Sequence, residues 1–204
     1  MTSRENDIPL LNGLVLAGGK STRMGTNKDL IKWHGKEQRY YVADILNKFC
    51  DEAFISCRSE QIENINTLYQ ALPDSFLNMG PLSGILSAFR LQRNRAWLVV
   101  ACDLPLLNAE TVRFLVENRD TQKIATAFRS PHDDFPEPLI TIWEPDSYPV
   151  LLNYLSKGIT CPRKALINEN IKMLKTPSPE ALMNVNTPEE ASKAREILHV
   201  ENYE

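Results

Sequence analysis

The segment best suited to chemistry is residues 16–28, LAGGKSTRMGTNK, which follows the first apolar run of the chain. It holds three glycines and three cations, Lys20, Arg23 and Lys28. Glycine lets the backbone approach an anion, and successive N–H groups form an anion-binding concavity. Arg23 could grip phosphate oxygens as a fork, and Lys28 could place a point charge on them. The segment therefore favours a phosphate-binding loop over a solvated surface turn.

Two common phosphate motifs are absent from this segment. Gly19-Lys20-Ser21 looks like the end of a Walker A loop, but that motif requires glycine where the chain has Leu14. The G-x-G-x-x-G dinucleotide pattern is missing as well. If residues 16–28 bind phosphate, they form a loop of another kind.

Asp103 is the main acidic candidate. It follows residues 97–102, a nearly continuous apolar run that is typical of a strand buried on both faces. Ligands of open α/β sheets lie at the carboxyl ends of the strands, so Asp103 and the glycine-rich segment belong at the same edge. Magnesium binds one or two carboxylates together with phosphate oxygens and waters. From the residues alone, a magnesium ligand and a turn residue before Pro105 are both open.

The elements that must position these residues alternate between short β-rich runs and amphipathic helical stretches. Strands are predicted over residues 14–17, 53–57, 97–102, 123–128 and 139–143, and helices over 38–49, from Pro81, after the cap residue Asn108, and from Thr187 to Leu198. This alternation predicts an α/β fold with a mostly parallel sheet and helices on both faces. The 204 residues suit a single domain.

Composition excludes several classes of protein. The net charge is −3 without a Lys/Arg-rich block, so no nucleic-acid partner is expected. The longest apolar run, residues 96–107, is interrupted by Asp103, so no membrane span is expected. Residues 1–8 do not resemble a signal peptide, and the four scattered cysteines are typical of reduced thiols. We therefore expect a cytoplasmic protein.

The pattern L-A-G-G-x-S-x-R-M-G-x-x-K in residues 16–28 resembles the signature of the MobA-like nucleotidyltransferases. Within that family it is most similar to the molybdenum cofactor guanylyltransferases. The resemblance runs from Leu14 to about Glu190, through four further motifs: GPLSG at 80–84, CDLP at 102–105, PEPL at 136–139 and NVNTP at 184–188. In the family these shape the base and ribose pocket, bind metal, face the acceptor, and lie near the molybdopterin site. The resemblance implies a three-layer, Rossmann-like nucleotidyltransferase fold.

The resemblance also implies roles for particular residues. The catalytic residues would be Arg23, Lys28 and Asp103, with Asp103 binding Mg²⁺. The nucleotide would contact Leu16, Ala17, Gly18, Gly19, Lys28, Asp74, Gly80, Pro81, Leu82 and Asp103. Asn184 and Asn186 would contact the acceptor. Apart from the resemblance, Arg163 and Lys164 are cations that could bind an acceptor phosphate, with simple solvation as the alternative. The part of the chain up to about residue 107 would thus bind nucleotide, and the rest would bind the acceptor.

The chain departs from the family at two positions. Glu37 stands where proline is frequent, and Ser56 stands where relatives often carry asparagine, which leaves a role for Ser56 in question. His132-Asp133-Asp134 could suggest a metal cluster, but we interpret it as a solvated loop.

The reaction implied is transfer of GMP from GTP to the terminal phosphate of molybdenum-molybdopterin, which yields the guanine dinucleotide cofactor and pyrophosphate. Residues 16–19 read LAGG, as in the guanylyl branch, whereas the cytidylyl branch typically reads LAAG. Three alternatives remain open: a cytidylyltransferase of the same cofactor, a nucleotidyltransferase of a sugar or alcohol phosphate, and a non-catalytic nucleotide-binding sensor. A molybdoenzyme or a cofactor-delivery protein is a possible partner.

Overall fold

The central sheet is seen in a computed structural model that describes residues 8–18 and 28–201, with side chains up to residue 199. In this part of the chain the strands are β1 (Leu11–Leu16), β2 (Ala53–Cys57), β3 (Gln70–Pro73), β4 (Ala96–Ala101), β5 (Ala125–Arg129), β6 (Pro136–Trp143) and β7 (Lys172–Leu174). They form one seven-stranded sheet in the order β3-β2-β1-β4-β6-β5-β7.

The strands of this sheet are mostly parallel. β1 pairs in parallel with β2 and β4, β2 with β3, and β5 with β7. Only β6 runs the other way, since it is antiparallel to both β4 and β5. The predicted mostly parallel sheet is confirmed, and β1 to β4 all end at one edge.

Helices cover both faces of the sheet, which confirms the three layers. They are α1 (Gln38–Leu46), α2 (Pro81–Leu91), α3 (Ala109–Glu117), α4 (Ser147–Ser156), α5 (Pro162–Asn168) and α6 (Pro188–Glu201). Successive strand residues point to opposite faces. Accordingly, Val15 packs in one buried cluster with residues of α1 and α3, while Leu14 packs in another with residues of α2, α4 and α5. Each fully buried aliphatic side chain contributes about 1.5–3 kcal/mol.

The helix starts predicted from capping residues are confirmed. Asn108 Oδ1 accepts the backbone N–H of Thr111 at 2.9 Å, directly before α3. The N–H of Glu190 donates to Thr187 Oγ1 at 3.2 Å, and the N–H of Thr187 donates to Glu190 Oε2 at 3.0 Å, which completes a capping box. Each such cap is worth about 1 kcal/mol.

Four elements were not predicted: β3, β7, α4 and α5. The two strands are four and three residues long and lie at the sheet edges, where half-exposed side chains give no clear alternation. In α4, Pro149 interrupts the helical pattern, although proline is tolerated in a first turn. Among the described residues, no helix is both long and apolar enough to cross a membrane.

Candidate functional site

A cavity of about 460 Å³ lies at the carboxyl ends of β1, β2 and β4, beside the start of α2. Eight residues predicted to bind nucleotide line it: Leu16, Ala17, Gly18, Lys28, Asp74, Gly80, Pro81 and Asp103. The structure thus brings together residues that are up to 87 positions apart in the sequence (16 to 103). Their binding roles remain predictions, but their common position is a property of the fold.

Of the predicted nucleotide-binding residues that the structure describes, only Leu82 does not line this cavity. The side chain of Leu82 is only 1% exposed and packs in the core between α2 and the sheet, so its contribution is to packing. Gly19 and Arg23 lie outside the described residues, as does the rest of the segment 19–27.

The Asp103 carboxylate lies beside a lysine, and its side chain is 18% exposed. Its Oδ2 lies 3.9 Å from Lys28 Nζ. Its Oδ1 is buried and has no hydrogen-bond partner within the part of the chain that the structure describes. Burial raises the pKa of Asp103; Lys28 opposes the rise and the Glu137 carboxylate adds to it.

This carboxylate fits a magnesium ligand. A buried oxygen without a donor is costly, and a hard cation would satisfy it. The described residues contain no group of three or more His, Cys, Asp or Glu that could enclose a metal ion. The arrangement therefore suits a magnesium ion that completes its shell with phosphate oxygens and water, as is usual for this ion.

Two distant segments fix the turn that carries Asp103. The side chain of Gln38, at the start of α1, is fully buried and donates through Nε2 to the carbonyl oxygen of Leu104 at 3.0 Å. From the other side, the N–H of Val185 donates to the carbonyl oxygen of Asp103 at 2.8 Å. The turn is therefore held between α1 and the segment before α6.

Asn184 and Asn186, predicted to bind the acceptor, flank Val185 and so lie at the same place. Asn186 Oδ1 accepts a hydrogen bond from Lys28 Nζ at 2.5 Å. Asn184 Oδ1 is buried and, like Asp103 Oδ1, has no partner among the described residues. An asparagine from the C-terminal part of the chain thus contacts the lysine of the nucleotide part.

Arg163 forms ion pairs with two carboxylates. Its Nη1 lies 2.8 Å from Asp133 Oδ2, and its Nη2 lies 3.3 Å from Glu137 Oε2. An acceptor phosphate would have to replace or join these partners, whereas the neighbouring Lys164 is exposed. Asp133 belongs to the loop interpreted as solvated; the loop is exposed, but Asp133 also holds Arg163.

Asp74 lies at the other end of the cavity from Lys28, where β3 ends. Its N–H donates to the carbonyl oxygen of Cys57 at 2.9 Å, and its Oδ1 accepts the hydroxyl of Ser56 at 2.7 Å. Burial raises the pKa of Asp74, while the Ser56 hydrogen bond and the Arg58 cation oppose the rise. Ser56, whose role the sequence left in question, is therefore part of the site.

The loop between Asp74 and α2 is fastened by two serines of that helix. Ser87 Oγ accepts the N–H of Ser75 at 2.7 Å, and Ser83 Oγ accepts the N–H of Met79 at 3.2 Å. Gly80 has a φ of 58°, a conformation that glycine adopts without strain. The GPLSG motif therefore builds a fixed cavity wall as well as a helix start.

Nine lining residues were not assigned to the site from the sequence: Asp29, Ser56, Arg58, Asn78, Ser83, Gly84, Ala101, Cys102 and Leu139. Ser83 and Gly84 fall inside the GPLSG motif, so that motif carried a signal for them. Asn78, with a φ of 62°, and Arg58 lie in connecting segments with no recognisable pattern. Their position depends on the loop path, which sequence periodicity does not predict.

The fold is that of a nucleotidyltransferase: residues 13–172 match the family described as MobA-like NTP transferase domain, and the chain belongs to that family. A probable molybdenum cofactor guanylyltransferase of Carboxydothermus hydrogenoformans is 33% identical, over 90% of this chain and 94% of that relative. A molybdenum cofactor guanylyltransferase of Pseudomonas putida is 31% identical, over 89% of this chain and 96% of that relative. The family resemblance found in the sequence is therefore confirmed.

Two further comparisons extend this result. The chain is 34% identical to a molybdenum cofactor biosynthesis bifunctional protein of Synechocystis, but spans only 52% of its length. The solved structure of molybdopterin-guanine dinucleotide biosynthesis protein A from Archaeoglobus fulgidus superposes with a TM-score of 0.76 at 24% identity. That superposition covers 93% of this chain and 99% of the other, so the two proteins share the fold throughout.

Proposed function

We propose that the chain transfers GMP from GTP to the terminal phosphate of molybdenum-molybdopterin, forming the guanine dinucleotide cofactor and pyrophosphate. One observation carries the proposal: a single cavity is lined by eight of the ten residues that the guanylyltransferase resemblance assigns to the nucleotide. Relatives that match this chain over nearly their whole length are named molybdenum cofactor guanylyltransferases, which supports the same acceptor.

The cavity offers different chemistry at its two ends. Lys28 and Asp103 lie at one end, where a triphosphate with its magnesium would be neutralised. Asp74 and the Gly80 turn lie at the other end. An ionised carboxylate accepts hydrogen bonds but cannot donate them. It therefore suits guanine, whose N1–H and N2–H donors lie side by side. Cytosine lacks this pair of donors and would leave the buried carboxylate incompletely satisfied, which costs more than a lost contact alone.

Magnesium would be held by Asp103, whose Oδ1 is buried without a partner among the described residues. The ion, when bound, supplies positive charge to phosphate oxygens. Lys28 adds a cation on the side where pyrophosphate would leave. The family resemblance gives Arg23 the same task.

In the transfer step, an oxygen of the acceptor phosphate forms a bond to the α-phosphorus of GTP. The bond from that phosphorus to the oxygen shared with the β-phosphate breaks, and pyrophosphate departs with the electron pair. The attacking phosphate is already ionised, so no side chain has to remove a proton. The protein contributes positioning and charge stabilisation. Arg163 and Lys164 would orient the acceptor, with Arg163 itself held by Asp133 and Glu137.

The decisive experiment is incubation of the protein with each nucleoside triphosphate, Mg²⁺ and molybdenum-molybdopterin, followed by mass analysis of the product. The proposal expects the guanine dinucleotide from GTP, formed at least about a hundredfold more slowly when the Asp103→Asn variant replaces the wild type. A cytosine product of equal or greater yield would assign the chain to the cytidylyl reaction. Pyrophosphate release that requires a sugar or alcohol phosphate would point to another acceptor, and no release with any pair would indicate a nucleotide sensor.

The proposal extends to the setting of the enzyme. We propose a cytoplasmic location, as the scattered cysteines of the sequence indicate. A molybdoenzyme or a cofactor-delivery protein would then supply the acceptor or receive the product.

A further inference from the structure

Ser56 is buried between the sheet and α2, directly behind Asp74. It lies near the end of β2 and is 2% exposed. Its hydroxyl donates to Asp74 Oδ1 at 2.7 Å, and Asp74 is also held by the hydrogen bond from its own N–H to the carbonyl oxygen of Cys57 at 2.9 Å. One contact fixes the backbone of Asp74 and the other fixes its carboxylate.

The second carboxylate oxygen of Asp74 points into the cavity. Oδ2 lies 3.5 Å from the position that a β-carbon on Gly18 would occupy, at the end of β1. Within the described ranges, no side-chain or backbone donor is bonded to this oxygen. The carboxylate is therefore tied on its buried side and open on the side where a ligand would lie.

Gly84 holds Ser56 in place from the helix side. A β-carbon on Gly84 would lie 2.5 Å from Ser56 Oγ and 2.6 Å from Leu16 Cδ2, closer than real side chains approach. The first turn of α2 thus rests directly on the Ser56 hydroxyl. In this tight space, the hydroxyl has a defined position from which to donate to Asp74.

We infer that Ser56 is a positioning residue for base selection: its hydroxyl fixes the plane of the Asp74 carboxylate so that the carboxylate accepts two adjacent N–H donors of a guanine base. The inference rests on the proposed function, because it takes the base to be guanine. The last torsion of an aspartate side chain is broad and only weakly restricted. A hydrogen bond from a buried donor restricts it, and each carboxylate oxygen keeps a further acceptor site for the ligand.

The hydrogen bond from Ser56 also affects the ionisation of the Asp74 carboxylate. Burial favours the neutral carboxyl group, while Ser56 and the Arg58 cation favour the ionised form. The nearby Cys57 is a thiol whose pKa is raised by burial to about 11, so it adds no charge near neutral pH. Without Ser56, the carboxylate would turn more freely and would be protonated more easily, and a protonated oxygen is a donor that opposes the N–H groups of guanine.

The test compares binding of GTP and ITP, each with Mg²⁺, to the wild-type protein and to Ser56→Ala by isothermal titration calorimetry near pH 7. Hypoxanthine keeps N1–H but lacks the 2-amino group, so the GTP/ITP ratio reports the paired contact. We expect Ser56→Ala to weaken GTP binding about tenfold and ITP binding much less, so that the preference largely disappears. Ser147→Ala is the matched control, since Ser147 is also fully buried and donates to the carbonyl oxygen of Glu144 at 2.7 Å, away from the cavity.

A double-mutant cycle with Asp74→Asn separates positioning from general loosening of the structure. If Ser56 acts through Asp74, the double variant loses no more GTP/ITP preference than Asp74→Asn alone. An unchanged ratio in a folded Ser56→Ala protein, or fully additive losses in the cycle, overturns the positioning role while GTP use by the wild type stands. A wild-type protein that binds CTP better than GTP overturns the proposed function and this inference together.

Discussion

Replacing Asp103 with asparagine isolates the charge at the site. The variant Asp103→Asn keeps the size of the side chain and one carbonyl-type oxygen, but removes the negative charge beside Lys28. Because Oδ1 is buried with no partner among the described residues, the native oxygen is available to a cation. Removing one preorganised hydrogen-bond donor from an oxyanion hole typically costs about 10²–10³ in rate, and the loss of a charged metal ligand should cost at least as much. We expect turnover to fall at least about a hundredfold, or about 2.7 kcal/mol in activation free energy.

The same substitution should leave folding nearly unchanged. The contact that is lost, 3.9 Å between partly exposed groups, is worth at most about 1 kcal/mol. Burial raises the pKa of Asp103, which means that the fold disfavours its charged form, so removing the charge offsets part of that loss. For a chain of this size, 1 kcal/mol corresponds to about 2–4 °C in melting temperature. We expect a shift within that range, in either direction.

The assay is pyrophosphate release at saturating GTP and acceptor, with melting temperature measured on the same samples. Asp51→Asn is a matched control, because Asp51 accepts the N–H of Leu11 at 3.0 Å at the start of β1, the opposite edge of the sheet. The control should keep its turnover. Near-normal turnover of Asp103→Asn would refute the assignment of Asp103 as the magnesium ligand, and a large drop in melting temperature would refute the stability argument.

Three further predictions follow from contacts in and around the cavity. Lys28→Ala should weaken GTP binding and make it less dependent on salt, whereas Arg163→Ala should leave GTP affinity unchanged and raise only the KM for the acceptor. Equal effects of the two variants on GTP binding would contradict the assignment of Lys28 to the nucleotide and Arg163 to the acceptor. The wild type should use GTP at least about tenfold more efficiently than CTP. Gly18→Ala should fold normally, because its β-carbon would make an ordinary contact, 3.5 Å from Asp74 Oδ2. Since this contact lies inside the cavity, the variant should show a smaller preference for GTP. Gly84→Ala should lower the free energy of unfolding by about 1–3 kcal/mol in a denaturant titration, because its β-carbon would approach a neighbouring side-chain atom to 2.5 Å; unaltered stability would show that α2 moves without cost.

The sequence predicts those parts of the fold and site that depend on local pattern. The apolar run of β4 and the cap at Asn108 each follow from residues within a few positions. Placing Asp103 at the cavity edge follows from one rule about parallel sheets. The residues around Asp103 cannot be predicted in this way, because Asn186 and Lys28, which are in contact, lie 158 positions apart in the chain.

The contact between Ser56 and Asp74 shows why the rest could not be predicted. It requires β3, a four-residue edge strand without a clear pattern, to pair with β2 in one register. It also requires Gly84 to bring α2 against the end of β2. Each condition is set by packing between elements, and the residue type at position 56 indicates neither of them.

The order of the strands explains how one cavity can serve two chemically different ends of a nucleotide. Asp74 follows β3 and Asp103 follows β4, and β2 and β1 lie between these two strands. Three spacings between neighbouring strands separate the two backbone positions by about 14 Å. The nucleoside would therefore lie across the ends of β2 and β1, with the base towards Asp74 and the phosphates towards Asp103. Gly18, just after β1, lines the cavity on this path, and a β-carbon there would lie 3.5 Å from Asp74 Oδ2, on the side of the base.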